Sequence, residues 1–209
     1  TELWNGTNWT DVADINTARY QAAGMGSSNT AALMAGGEIS TGPAANTESW
    51  NGSIWTETSD LNIARDFLSG AGTNTSSVAF GGEAPSETGA TEEWNAGINL
   101  GAWYTGGNFN TGRGDGAGFG TQTASLFVGG VNPGGFTALT EFYNGTTWVE
   151  INDLNTARQA LAGAGTTDAG VVFGGQSTPP ASTNVTELWN GYTWTEVNDM
   201  NTARQSLAS

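Results

Sequence analysis

The chain is 209 residues long and carries 20 acids against 5 arginines, with no Lys, His or Cys, for a formal charge of −15. That charge repels phosphate backbones and anionic lipid, which argues against nucleic acid as a partner. No apolar run approaches the roughly 18 residues that a membrane span needs. Without Cys there are neither disulfides nor thiolate metal ligands, and without His or Lys the commonest general base and the Schiff-base amine are missing.

The chain opens on Thr in mid-repeat, without a Met. It reads as a processed or excised piece, so the lack of a targeting segment says nothing about location.

One stretch organises everything after it. TELWNGTNWTDVADINTAR at 1–19 returns as TESWNGSIWTETSDLNIAR from Thr47 and, loosely, as TEEWNAGINLGAWYTGGNFNTGR from Thr91. It returns again as TEFYNGTTWVEINDLNTAR from Thr140 and TELWNGYTWTEVNDMNTAR from Thr186. A period of 44–49 residues marks an array of small units, none able to bury its own apolar face alone.

Each unit begins with a hairpin. Asn5-Gly6, Asn51-Gly52, Asn144-Gly145 and Asn190-Gly191 suit the positive φ values of a two-residue type I′ turn. In the third unit the pair is Asn95-Ala96, and a longer loop, 96–102, separates the strands. The two strands carry the aromatic pairs Trp4/Trp9, Trp50/Trp55, Trp94/Trp103, Tyr143/Trp148 and Trp189/Trp194, which account for all nine Trp. Filling the space between neighbouring units is the plain role for such rings, worth roughly 4–6 kcal/mol per buried Trp before entropy. For the first aromatic of each pair (Trp4, Trp50, Trp94, Tyr143, Trp189), stacking on a sugar is the functional alternative.

A segment Asp-Φ-Asn-Thr-Ala-Arg follows, and every Arg of the chain (Arg19, Arg65, Arg113, Arg158, Arg204) stands ten residues after the second Trp. Glu2, Glu48, Glu92, Glu141 and Glu187 recur once per unit, so the arginines are expected to form a structural ring paired with these carboxylates, the repeated aspartates or loop carbonyls. The triplet Arg113-Gly114-Asp115 spells an integrin motif, but its Arg is the repeat arginine.

Next come QAAGMG (21–26), FLSGAG (67–72), DGAGFG (115–120) and ALAGAG (160–165), small-residue strands suited to crowding around an axis. Apolar runs ending in glycine doublets follow, TAALMAGG (30–37), SSVAFGG (76–82), ASLFVGG (124–130) and GVVFGG (170–175). Divergent Pro/Gly-bearing connections at 38–46, 83–90, 131–139 and 176–185 lead to the next hairpin. Helical periodicity is absent, and each unit reads as four short strands.

With its Gly36-Gly37, Gly81-Gly82, Gly129-Gly130 and Gly174-Gly175 doublets, the downstream aromatic pair and an Arg opening each following unit, the chain resembles the kelch-repeat family of β-propellers. It differs in having Trp where that family usually has Tyr, except at Tyr143. The resemblance implies an all-β propeller of about five four-stranded blades in a single domain, 1–209. Four would be whole, at about 19–62, 63–110, 111–155 and 156–201. A fifth would be closed by pairing the N-terminal hairpin (1–18) with a C-terminal strand from 202–209, one strand being missing.

No catalytic residues, metal site or cofactor are expected. Acids recur at matching places in every unit, whereas an active site needs one unit to differ. A copper oxidase of the kelch type would require His and Cys ligands. The divergent connections lie on a rigid scaffold, where recognition residues usually sit, and they make Glu83, Ser86, Asn132, Thr137 and Gln176 candidate ligand contacts alongside the first aromatics.

The expected function is a non-catalytic recognition or adhesion module of an extracellular or virion surface, binding glycan or a protein receptor through one propeller face. Near-identical Trp-rich repeats resemble those of microbial and phage surface proteins. The alternative is a structural subunit of a filament, tail or capsid that assembles with other copies of itself and takes no small ligand.

Overall fold

A computed structural model describes residues 1–97, 101–178 and 181–207, all of them strand, turn or irregular chain, with no helix. A lone hairpin comes first, β1 (Glu2–Trp4) with β2 (Trp9–Asp11). The first blade contains β3 (Ala23–Ser28), β4 (Ala31–Ala35), β7 (Thr47–Trp50) and β8 (Trp55–Glu57), with a ribbon, β5 (Glu38–Ile39) and β6 (Gly42–Pro43), between its second and third strands. The second has β9 (Ser69–Gly72), β10 (Ser76–Phe80), β11 (Thr91–Asn95) and β12 (Ala102–Thr105).

The third contains β13 (Ala117–Thr121), β14 (Ala124–Val128), β17 (Thr140–Tyr143) and β18 (Trp148–Glu150), around the ribbon β15 (Val131–Asn132) and β16 (Gly135–Phe136). The fourth has β19 (Ala162–Gly165), β20 (Gly170–Phe173), β23 (Thr186–Trp189) and β24 (Trp194–Glu196), around β21 (Gln176–Ser177) and β22 (Ala181–Ser182). The four sheets are antiparallel meanders arranged as a four-blade β-propeller.

Sequence chemistry explains each joint. At the hairpin tips the expected type I′ turn is not formed, because the Gly has positive φ and the Asn before it does not; instead the Asn side chain accepts backbone N–H bonds from the residues two and three ahead, as Asn51 does from Ser53 and Ile54. At the glycine doublets both residues have positive φ, and a Cβ on Gly82 would lie 2.3 Å from the Asp66 carbonyl oxygen. The second glycine of each doublet donates its N–H to the carbonyl of the Arg opening the next blade: Gly37 to Arg65, Gly82 to Arg113, Gly130 to Arg158 and Gly175 to Arg204. Successive inner strands β3, β9, β13 and β19 then lie side by side around the hub.

The core is made between blades rather than within them. Met25, Leu33 and Leu68 pack with Trp94 and Trp103 at one junction. Phe80, Phe109, Phe127 and Trp148 meet at the next, and Phe119, Leu154 and Leu161 meet Trp189 and Trp194 at the third. Glycines of β9, β13 and β19 receive the preceding blade: a Cβ on Gly70 would meet Met25, one on Gly118 would meet Phe80, and one on Gly163 would meet Phe119.

The fifth repeat departs from the expected closure. Among the described residues β1 and β2 form a separate two-stranded sheet, and 202–207 contain no strand; 208 and 209 lie outside the described residues. The pairing of the N-terminal hairpin with a C-terminal strand is therefore not seen there. Each half nevertheless docks as its counterparts do. Asn16 Nδ2 donates to the Trp55 carbonyl as Asn62 does to Trp103, and Ser206 N–H donates to the Ala160 carbonyl as Ala160 does to Asp115. The longer third-unit loop, 96–102, falls partly on residues 98–100, outside the described residues.

Candidate functional site

The arginine ring is structural in four of its five members. Arg19 pairs with Glu48 at 2.6 Å, Arg65 with Glu92 at 3.1 Å, Arg113 with Glu141 at 2.6 Å and Arg158 with Glu187 at 2.7 Å, all within the protein interior. The remaining guanidinium bonds go to carbonyls, such as Arg65 to Gly81 and Ala90. Burial lowers the pKa of Arg65, Arg113 and Arg158, and the facing Glu opposes the shift.

The second carboxylate oxygen of each Glu accepts from an Asn three residues before the Arg: Asn16 to Glu48, Asn62 to Glu92, Asn110 to Glu141 and Asn155 to Glu187, through backbone N–H and side-chain amide alike. The repeated Asp has another task, since Asp60, Asp153 and Asp199 accept the N–H of Thr47, Thr140 and Thr186. With Arg113 wholly buried, Arg113-Gly114-Asp115 is not a surface motif. Glu2 and Arg204 are the exposed fifth members, and among the described residues they form no ion pair.

The first aromatics are placed against the sugar-stacking alternative. Trp50, Trp94, Tyr143 and Trp189 are buried, with three of the indoles donating to a carbonyl of the inner turn (Asn29, Asn74 and Thr167) and Tyr143 to Glu93. As placed, none offers a face to a ligand; only Trp4, 44% exposed, stays open. The second Trp ties blades two, three and four to their predecessors, because Trp103, Trp148 and Trp194 donate to the hydroxyls of Thr47, Thr91 and Thr140.

The divergent connections and the inner-strand starts share one face. It is fixed by the bridges Tyr20–Glu38, Asp66–Glu83, Gly114–Val131 and Gln159–Gln176, while the Asn-Gly tips lie at the other end of the third strands. Ser86 is exposed on this face beside Glu83, which bridges both Asp66 and Glu87. Asn132 closes its own ribbon by accepting the Gly134 N–H, and Thr137 accepts the Leu139 N–H, a turn bond repeated by Thr88 and Thr183. Gln176 accepts from the Gln159 amide. Of the five loop candidates, Asn132, Thr137 and Gln176 thus hold the scaffold, Glu83 is half-buried and Ser86 is exposed.

At that centre lies a cavity of about 480 Å³, within the usual size range of ligand sites. Gln21, Phe67, Asp115, Ala160 and Ser206 line it, one from each repeat and each two residues after the Arg. All five are non-glycine residues with φ between 51° and 57°. Cross-blade bonds from Asp115 N–H to Phe67, Ala160 to Asp115 and Ser206 to Ala160 help to hold this conformation.

Asp115 is the one formal charge on the cavity wall, and burial, with Glu83 nearby, raises its pKa to about 6. The Asp66 carboxyl is raised by burial and by Glu38, and that of Glu83 by burial and by Glu87, Asp66 and Glu38. The mouth is thus acidic on one side. Among the described residues no group of three or more acids is arranged to hold a metal ion, and no helix is long and apolar enough to cross a membrane.

Sequence reasoning passed over this cavity. Its signal was available in the repeat frame: the residue two after each Arg is Gln, Phe, Asp, Ala or Ser, different in every repeat. No family model matches the chain, and a search of curated proteins finds no match.

Proposed function

We propose that the chain is a non-catalytic recognition module, a divergent kelch-type propeller whose ring has five blades, the fifth built from 1–18 and 202–209. It binds a glycan or a protein receptor across the face bearing the divergent connections, at an extracellular or virion surface. The observation that carries this reading is the contrast between the two faces. On one, four unlike connections surround a cavity whose five repeat-related wall positions all differ; on the other, nearly uniform Asn-Gly tips repeat. Asp115, Asp66 and Glu83 beside the cavity repel anionic sugars, so the glycans favoured are neutral or amino-bearing.

A glycan array probed with the whole chain and with variants replaced at 83–90 or 131–139 tests it. Binding to neutral or amino sugars that either replacement abolishes is expected. Absence of glycan and receptor binding, together with concentration-dependent assembly, would sink it in favour of the second reading, a structural subunit of a filament, tail or capsid. That reading is favoured by Trp9, 63% exposed while three of its repeat partners are buried.

A further inference from the structure

The five repeat-related residues of the central cavity are chemically unequal. Gln21, Phe67 and Asp115 open the first three blades, whose inner strands β3, β9 and β13 lie side by side, so they form one continuous arc of the wall. Ala160 and Ser206, which complete it, are small. We propose that the longer arc is a seat for an amino sugar: the ammonium of a hexosamine at Asp115, the apolar face of its ring at Phe67 and a hydroxyl donor at Gln21. The assignment rests on the recognition face proposed above and names the group read at its centre.

Asp115 supplies the charge, and the protein leaves that charge unanswered. Among the described residues its carboxylate accepts no hydrogen bond and enters no ion pair. Arg113, two residues earlier, is committed to Glu141 and to the carbonyls of Gly129 and Phe127. Arg65 and Arg158, which open the flanking blades, are likewise buried against Glu92 and Glu187. A carboxylate withdrawn from water without a counter-charge is costly, and a ligand cation removes that cost. Burial raises its pKa to about 6, which leaves it ionised at neutral pH. Glu83, close enough to contribute to that rise, adds a second negative charge and disfavours anions.

Gln21 supplies an idle amide. Its side chain forms no hydrogen bond among the described residues, and Oε1 is buried without a partner. Neighbouring polar groups are engaged, since Ser69 Oγ donates to the Gly116 carbonyl and Gln159 Nε2 to Gln176. A buried acceptor left unpaired costs more than an ordinary hydrogen bond returns. Turning this amide about its last bond towards the cavity breaks no existing bond.

Phe67 joins the two. It is tied to Asp115 by the Asp115 N–H donated to its carbonyl, and an aromatic ring beside a carboxylate suits an organic ammonium. The carboxylate takes the N–H donors, and the negative ring face attracts the cation and the C–H bonds it polarises. A cavity of about 480 Å³ is sized for a ring system rather than a single alkyl chain, which favours a hexosamine over a lysine side chain.

Calorimetric titration of the whole chain at pH 7 with glucosamine disaccharide and with its N-acetylated form tests the seat. The free amine is expected to bind saturably at one site per chain, at least tenfold more tightly than the acetylated sugar. Asp115→Asn, which tolerates the same positive φ, should erase the preference by weakening only the free amine, without lowering the melting temperature. Asp168→Asn removes the same charge beside the Gly191 tip, on the opposite face, and should change neither sugar.

Equal binding of the two sugars, or a preference that Asp115→Asn leaves intact or Asp168→Asn weakens as much, would overturn the seat. So would Asp115-dependent binding of a lysine-bearing peptide without binding of the hexosamine, which would make a protein side chain the occupant. Glycans held through 83–90 or 131–139 without regard to their amines would overturn the seat alone. A chain that binds neither glycan nor receptor would overturn the recognition reading with it.

Discussion

The four complete blades and the fifth repeat share one vocabulary, and their difference separates what a hairpin does alone from what its neighbours do for it. Trp4 and Trp9 still pair across β1–β2, with ring centroids 5.5 Å apart, much like Trp94 and Trp103 at 5.5 Å. The turn and the register are therefore local properties. Burial is not: Trp94 and Trp103 lie in the core, while Trp4 and Trp9 are open to solvent. Likewise the Arg–Glu pair is buried and hydrogen-bonded where a blade is complete, and Glu2 and Arg204, its chemical equals, are both exposed. Neighbouring blades supply the desolvation that makes these groups structural.

Matched substitutions in the two regions should therefore behave differently. Removing Glu141 strands a buried guanidinium, so Glu141→Ala should cost about 3–5 kcal/mol in urea unfolding, whereas Glu2→Ala should leave the midpoint unchanged. An equal loss at both sites would mean that the fifth repeat is already closed in solution.

Gly118→Leu should cost about 1–3 kcal/mol or more, because its Cβ would sit 2.6 Å from the Phe80 ring, and Gly24→Leu should be silent in a thermal melt. Thr91→Val removes the acceptor of Trp148 Nε1 and should cost about 1–3 kcal/mol; Thr1→Val should cost nothing, since Trp55 already lacks that bond.

The smallest effect concerns the cavity. The pKa of Asp115 is raised from 3.8 to about 6, so the folded state holds its proton more tightly than the unfolded chain. Its contribution to stability is present below about pH 4 and falls away as pH rises to about 6. Asp115→Asn tolerates the same positive φ and should flatten that slope, gaining on the order of 1–2 kcal/mol at pH 7 in melts taken from pH 4 to 7.

Much of this was legible in the residues. Asn-Gly between aromatic strands defines a hairpin by turn chemistry alone, and a glycine doublet after an apolar run marks a joint where backbones touch. The connections were less readable: those at 38–46, 131–139 and 176–185 contain the two-residue ribbons β5–β6, β15–β16 and β21–β22, too short to leave a periodic signal.

Asn16, Asn62, Asn110 and Asn155 carry no local sign of their partner, yet each bonds a Glu 30–32 positions away. Choosing between Glu and Asp as the partner of Arg likewise depended on contacts 27–29 residues apart. The left-handed backbone at Phe67 and Ala160 had no precedent in their side chains. Carbonyls and N–H groups of adjacent blades impose it, and this ring of residues forms the cavity.

By itself the sequence determined the repeat, the four-stranded unit and the places of the hairpin turns, because these depend on backbone preferences within a few residues. The tertiary structure alone decided which aromatics are buried, which carboxylate each arginine meets, and where the cavity lies. Those outcomes depend on which surfaces of different repeats are brought together and deprived of water.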